Sequence, residues 1–214
     1  MQLVMGLGNP GDRYRRTRHN VGFLCVEELA RRLGLQFTET APEYRAATGA
    51  GPAGPLTLLE PLTYMNRSGL AWLAWNARHG RPQVAASDPL AAAAAAVIPV
   101  VVCDDLQLTL GSVRIRAGGS DGGQNGLASI LASVGTDEVP RLRLGVGPLD
   151  SPLDPARWAD HVLAPFSAAE EAAAAELVER GADALADLLE HGLGAAASRH
   201  NRRIRPASHL PPGQ

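Results

Sequence analysis

The run Val97-Ile-Pro-Val-Val-Val-Cys103 is apolar from end to end and then stops at Asp104-Asp105. A strand with one wet face alternates apolar and polar residues, so a run without alternation expects cover on both faces. It asks for helices above and below a sheet, with Pro99 at the strand's start or edge because proline cannot donate to a central ladder. Other short segments read as its neighbours: Leu3-Val-Met-Gly-Leu7, followed by the Asn9-Pro10-Gly11 turn; Leu56-Thr-Leu-Leu-Glu60, ended by Pro61; and Arg141-Leu-Arg-Leu-Gly-Val-Gly147. Ser112 to Arg116 alternates like a half-exposed strand.

Helical periodicity fills the gaps between these strands. Val26, Leu29, Ala30 and Leu33 recur at i, i+3, i+4 and i+7, which predicts a helix over Val21 to Leu33 stopped by Gly34. A second helix is expected from Asn66 or Ser68 to Gly80, with Leu70, Leu73, Ala74 and Ala77 inward. A third opens near Leu127 to Leu131, after the glycine-rich stretch 117–126. A long last helix starts at Ser167-Ala-Ala-Glu170, which has capping-box spacing, and runs to about Leu193. Helices alternating with strands predict one α/β domain: a twisted, mixed and mostly parallel sheet flanked by helices, with the long helix C-terminal.

The domain is expected to span 1–198. Pro82 to Ala96, with six consecutive alanines, reads as a tolerated insertion or helical spacer within it, and 199–214, with four arginines and three prolines, as a flexible basic tail. The 214 residues are 45% apolar with a formal net charge of −2, and no charge-free apolar stretch resembles a membrane span. Met1-Gln-Leu-Val-Met leads into a strand rather than a signal peptide. Cys25 and Cys103 alone make neither a disulfide framework nor a metal-binding spacing, which suits a reducing cytosol. All 20 basic residues are arginine, clustered at 13–18, 114–116, 141–143 and 199–205, while 167–190 holds seven acids against one arginine. This segregation leaves room for an anionic partner despite the near-neutral total.

The block Gly6-Leu-Gly-Asn-Pro-Gly spells a dinucleotide-type glycine pattern. Such a site needs its glycines to enter a helix directly and an acid at the end of the next strand. Here Asp12 and four arginines intervene before the helix, and the acids Glu27 and Glu28 lie within it, so the nucleotide reading fails on both counts. A different pattern is positional. Asn9, Tyr64 with Asn66, and Asp104 each follow a strand, where ligands of open α/β sheets bind, while His19 and Asn125 stand at helix starts. No Ser or Cys occupies a nucleophile elbow and no metal-ligand spacing is present, which leaves water as the nucleophile. A histidine base oriented by a carboxylate, with asparagine amides around it, describes hydrolysis of an activated acyl bond without a covalent intermediate.

The same blocks carry a family resemblance. Gly6-Leu-Gly-Asn-Pro-Gly with Tyr14 and Thr17-Arg-His-Asn-Val-Gly22, Pro61-Leu-Thr-Tyr-Met-Asn-Arg-Ser-Gly69, Asp104-Asp-Leu, Gly122-Gly-Gln-Asn-Gly-Leu127, Arg141-Leu-Arg-Leu-Gly-Val-Gly147 and Val162-Leu-Ala-Pro-Phe166 occur in order, and the chain resembles bacterial-type peptidyl-tRNA hydrolase from residue 3 to about 200. The resemblance implies hydrolysis of the ester joining peptide to tRNA, which recycles tRNA, with His19 as the base on water, Asp104 holding His19, and Asn9 telling a blocked amino group from a free one. It implies that Tyr14, Tyr64, Asn66 and Asn125 line the site, and that Arg116 and Arg143 meet tRNA phosphate. A cytoplasmic monomer without metal or cofactor, with peptidyl-tRNA as partner and no membrane, is the corresponding expectation. Two departures stand out: Gln124, where the family usually has a histidine, cannot shuttle a proton, and Cys103 replaces a frequent histidine. A second reading is an RNA-binding protein of the same fold without the chemistry; Gln124 speaks for it, and the retained Asn9, His19, Asn66, Asp104 and Asn125 against it.

Overall fold

A computed structural model describes residues 1–80, 96–148 and 154–201. The alanine-rich insertion, apart from Ala96, and the tail from residue 202 onward lie outside the described residues.

Strand β1 (Gln2–Gly6) is central. The helix α1 (Val21–Leu33) follows it, and Gly34 closes the helix with φ 68°, the left-handed stop that its sequence predicts. Next come the short β2 (Glu39–Thr40) and the longer β3 (Tyr44–Gly51) and β4 (Gly54–Pro61). The helix α2 (Ser68–His79) leads to β5 (Val100–Thr109) and β6 (Val113–Arg116); α3 (Asn125–Val134) leads to β7 (Arg141–Gly147). A short α4 (Trp158–Leu163), the long α5 (Glu171–His191) and α6 (Leu193–His200) complete the described chain.

The sheet order is β2-β3-β4-β1-β5-β7-β6. Strands β4, β1, β5 and β7 are mutually parallel and form its centre, while β2-β3, β3-β4 and β6-β7 pair antiparallel. The sheet is therefore mixed, with its parallel part in the middle. Leu3, Met5, Val101 and Cys103 pack toward α2 and α3, whereas Val4 and Val102 pack toward α1, α5 and α6. Each central strand thus buries both faces, which is what an unbroken apolar run requires.

The chain leaves β1 across one face of the sheet through α1, reaches β4, then crosses the other face through α2 to reach β5. This change of side opens a crevice beyond the carboxyl ends of β1, β4 and β5. Gly6 and Gly22 serve that junction. A methyl on Gly22 would stand 2.5 Å from the carbonyl oxygens of both Leu7 and Val102, and one on Gly6 would stand 2.6 Å from the Gly22 carbonyl oxygen. They let the first turn of α1 lie directly on the backbones of β1 and β5.

Several expectations need correction. Strand β5 starts after Pro99 and continues past Asp104-Asp105 to Thr109, because its backbone keeps pairing with β7 through a register shift between Asp105 and Thr109. Helix α2 turns a different face inward: Ser68, Ala71, Trp72 and Trp75 are buried, whereas Leu70 and Leu73 are exposed. The two indoles remove more apolar area from water than the two leucines would, so they decide the rotation. The long C-terminal helix ends at His191, close to its expected stop, but a further helix that was not expected, α6, follows Gly192, with φ 82°. The first tail residues are held: Asn201 bonds both the amide and the carbonyl of Ile115 on β6, at 2.7 and 3.0 Å.

Candidate active site

Two turns place the imidazole. The 3-10 turn Arg18–Asn20 precedes α1 and carries His19 at its centre. Arg18 anchors this turn from below: it is buried, donates to the carbonyl oxygens of His161, Ala164 and Pro165, pairs with Glu170 at 2.6 Å, and lies over the Phe166 ring. Burial works against the Glu170 charge, but hydrogen bonds from Arg18 and Ser167 outweigh it and hold the carboxyl down at about 2. One arginine of the 13–18 cluster is thus committed to the fold, and Arg16 pairs with Glu171.

His19 Nδ1 lies 2.9 Å from Asp104 Oδ2, and Gln124 Nε2 donates to the other carboxylate oxygen at 2.8 Å. Both oxygens of the buried carboxylate therefore receive N–H groups, the arrangement of an ionised acceptor. His19 accordingly donates from Nδ1 and keeps the Nε2 lone pair free for a substrate proton. Asn9 is fixed just as closely. Its backbone N–H donates to Asn20 Oδ1 and its carbonyl accepts from Asn20 Nδ2, both at 2.9 Å, while its own Oδ1 accepts from the Met65 N–H at 2.8 Å. One lone pair of Oδ1 is held by Met65, which fixes the amide's orientation and makes Nδ2 the donor Asn9 offers to a ligand.

A cleft of about 460 Å³ lies over these groups. Asn9, His19, Tyr64, Asn66, Asp104, Asn125 and Arg143, all singled out by the sequence, line it together. Arg143 forms an ion pair with Asp105 on the cleft floor, where burial pushes the Asp105 carboxyl upward against the pull of Arg143. Tyr14 and Arg116 are not part of this lining. Tyr14 sits on the preceding turn, with the Arg13 guanidinium 4.4 Å from its ring centre, and Arg116 is exposed on the edge strand β6. Cys103 is buried beneath the cleft, and burial raises its thiol far above the usual range, so it is inert at neutral pH. Among the described residues no three His, Cys, Asp or Glu side chains gather as a metal-binding group.

Sequence reasoning missed three contributors. Asn20 lies inside the quoted block but carries no chemistry of its own; its importance comes from the two bonds that clamp Asn9. Gln124 was expected to lose the proton-shuttling of a histidine and to keep a positioning role through hydrogen bonds; that its partner is the Asp104 carboxylate was not foreseen. The far wall comes from α4, through Trp158, Val162 and Leu163. The signals available for it were Trp158 and the Val162-Leu-Ala-Pro-Phe166 block of the resemblance.

Comparison with known proteins gives the family and the fold. The family model described as peptidyl-tRNA hydrolase matches residues 3–207. A peptidyl-tRNA hydrolase of Chloroflexus aggregans is 42% identical over 201 residues, covering 94% of this chain and 99% of its own, and one of Chlorobaculum parvum is 39% identical, covering 95% and 100%. Among solved structures, a crystal structure of peptidyl-tRNA hydrolase in complex with N-propanol superposes with a TM-score of 0.78 at 30% identity, covering 97% of each chain. The Acinetobacter baumannii peptidyl-tRNA hydrolase gives 0.77 at 30% identity, covering 94% of each.

Proposed function

The chain belongs to the peptidyl-tRNA hydrolase family and is an enzyme that cleaves the ester bond of peptidyl-tRNA; from that premise we propose that it does so with water activated by His19. The observation that carries the proposal is the 2.9 Å contact from His19 Nδ1 to a doubly bonded Asp104, at the floor of the cleft. His19 Nε2 takes a proton from water as the oxygen attacks the ester carbonyl carbon. Asp104 stabilises the imidazolium that forms, and the same proton passes to the departing 3′ oxygen of the tRNA as the tetrahedral intermediate collapses. No covalent enzyme intermediate arises, and neither metal nor cofactor enters the sequence of steps.

Asn9 Nδ2 donates to a carbonyl of the N-blocked aminoacyl group. A free ammonium has donors only and gives the Nδ2 donor nothing to bind, which is how the site distinguishes peptidyl-tRNA from aminoacyl-tRNA. Tyr64, Asn66 and Asn125, exposed at the rim of the cleft, hold the peptide backbone and the tRNA 3′ end. Arg143 and the exposed Arg116 meet phosphate beyond the reacting bond, and Tyr14 approaches from the arginine-rich turn outside the cleft. The enzyme acts as a cytoplasmic monomer that returns stranded tRNA to translation. No helix among the described residues is long and apolar enough to cross a membrane.

The test is hydrolysis of an N-acetylated aminoacyl-tRNA by the full chain. His19→Ala should lower kcat by roughly 10²- to 10⁴-fold, the range of a positioned general base, with the fold intact. A variant as fast as the wild type would remove His19 from the chemistry.

A further inference from the structure

Gln124 is held at both ends of its side-chain amide. It is the N-cap of α3, where Oε1 accepts the Leu127 N–H at 2.7 Å, and this bond leaves its Nε2 to donate to Asp104 Oδ1 at 2.8 Å. The amide cannot be turned over: the reverse orientation would set NH₂ against the Leu127 N–H and an oxygen against the carboxylate. Met65 Sδ lies 3.4 Å from the same Nε2 and closes the other side. The buried Asp104 thus has one oxygen on His19 and one on Gln124, and its rotation about Cβ–Cγ is fixed by the two together.

We propose that Gln124 is a positioning residue for the hydrolytic reaction: it transfers the fixed direction of helix α3 to Asp104, and through Asp104 to the His19 ring. The inference rests on the reading of His19 and Asp104 as base and orienter. Because the amide does not titrate, Gln124 supplies its donor at every pH. The other ionisable groups lining the cleft are Tyr64, Cys103, Asp105, Asp121 and Arg143, and of these Asp105 is engaged by Arg143. Removing the donor leaves Asp104 Oδ1 unpaired in a buried place, and lets the carboxylate turn away from His19.

The substitution Q124E separates this role from capping. A glutamate still accepts the Leu127 N–H, and a negative charge at a helix N-terminus is favourable, so the cap survives. It replaces the N–H that faced Asp104 with a second carboxylate oxygen, and the like charge makes a proton on the cluster harder to remove. With N-acetylated aminoacyl-tRNA as substrate, the acid limb of the kcat/KM profile should move upward by about one pH unit, while Tm stays within about 3 °C of the wild type. A profile superimposable on the wild type, with His19→Ala inactive, overturns the inference and spares the reading beneath it; an active His19→Ala overturns that reading itself. Should the glutamate variant fold poorly, Q124M, which lacks donor and acceptor alike, decides the matter: kcat should fall roughly 10- to 100-fold with KM little changed, as for a misplaced catalytic group. An unchanged kcat in Q124M also overturns the inference.

Discussion

Asn20 makes no contact that a chemist would call reactive, yet it sets what Asn9 can present. Its side-chain amide bonds the N–H and the carbonyl of Asn9 at once, and it is 3% exposed. Replacing it with alanine leaves two backbone groups of Asn9 without partners and frees the Asn9 side chain to rotate away from the Met65 N–H. Asn20→Ala should cost about 1–3 kcal/mol of stability, the penalty for orphaned buried polar groups. Its more specific effect should be on selection. The ratio of kcat/KM for N-acetylated over free aminoacyl-tRNA should fall by about tenfold, as expected when one directed hydrogen bond of about 1.4 kcal/mol is lost. Measuring both substrates on the same preparation separates this from a general loss of activity, and an unchanged ratio would contradict the clamp. The residue types at 9, 19, 20 and 104 were visible in the sequence. That the side-chain oxygen of Asn9 is engaged was not, because it depends on Met65, 56 positions away.

At the scale of elements, the decisive contact is that of α1 with the strands beneath it. Gly22 lies in the first turn of that helix, and a methyl there would meet two backbone oxygens at 2.5 Å, neither of which belongs to a flexible side chain. Gly22→Ala should therefore lower the unfolding free energy by about 2–4 kcal/mol, with the cost falling on overpacking rather than on helix propensity, which alanine would improve. Urea unfolding of the variant checks this; equal or greater stability would mean that helix and strand move apart without loss. The boundaries of α1 and of β7 were legible because their signals are local: a 3.6-residue period ended by a glycine, and a short alternation of Arg with Leu that runs into Gly145-Val-Gly147. The inward face of α2 was not, since Leu70, Leu73 and Ala74 make as regular a stripe as Ala71, Trp72 and Trp75, and only the surface opposite chooses between them. Strands β2 and β3 escaped for a related reason: Tyr44–Gly51 is rich in Ala and Gly, and is a strand because β4 pairs with it along its length.

Across the whole molecule, one buried acid ties stability to pH. Glu60, next to the end of β4, has its side chain fully buried, and burial, outweighing the attraction of Arg45, pushes its carboxyl up to about 8. The folded protein then keeps a proton that the unfolded chain releases above about 4.5. Since the native state binds more protons across that window, stability should fall as pH rises from about 4.5 to about 8, and level off beyond it. The upper bound is about 5 kcal/mol at 1.36 kcal/mol per unit. Glu60→Gln removes this dependence, so denaturation of both proteins at pH 5, 7 and 9 should show the variant gaining on the wild type as pH rises; a constant difference would place the Glu60 carboxyl in the ordinary range. The sequence by itself determined the α/β class, the strand ends that carry Asn9, Tyr64 and Asn66, the apolar run that leads into Asp104, and the histidine that answers them. Those signals lie in short runs, because backbone periodicity and turn chemistry act over a few residues. Only the tertiary structure decided that His19 meets Asp104 across 85 positions, that Gln124 holds the other oxygen of that carboxylate, and that Arg18 and Arg141 are absorbed by the fold while Arg143 reaches the cleft. Each of these is a contact between segments far apart in the chain, fixed by how the helices pack on the sheet, and no local pattern encodes it.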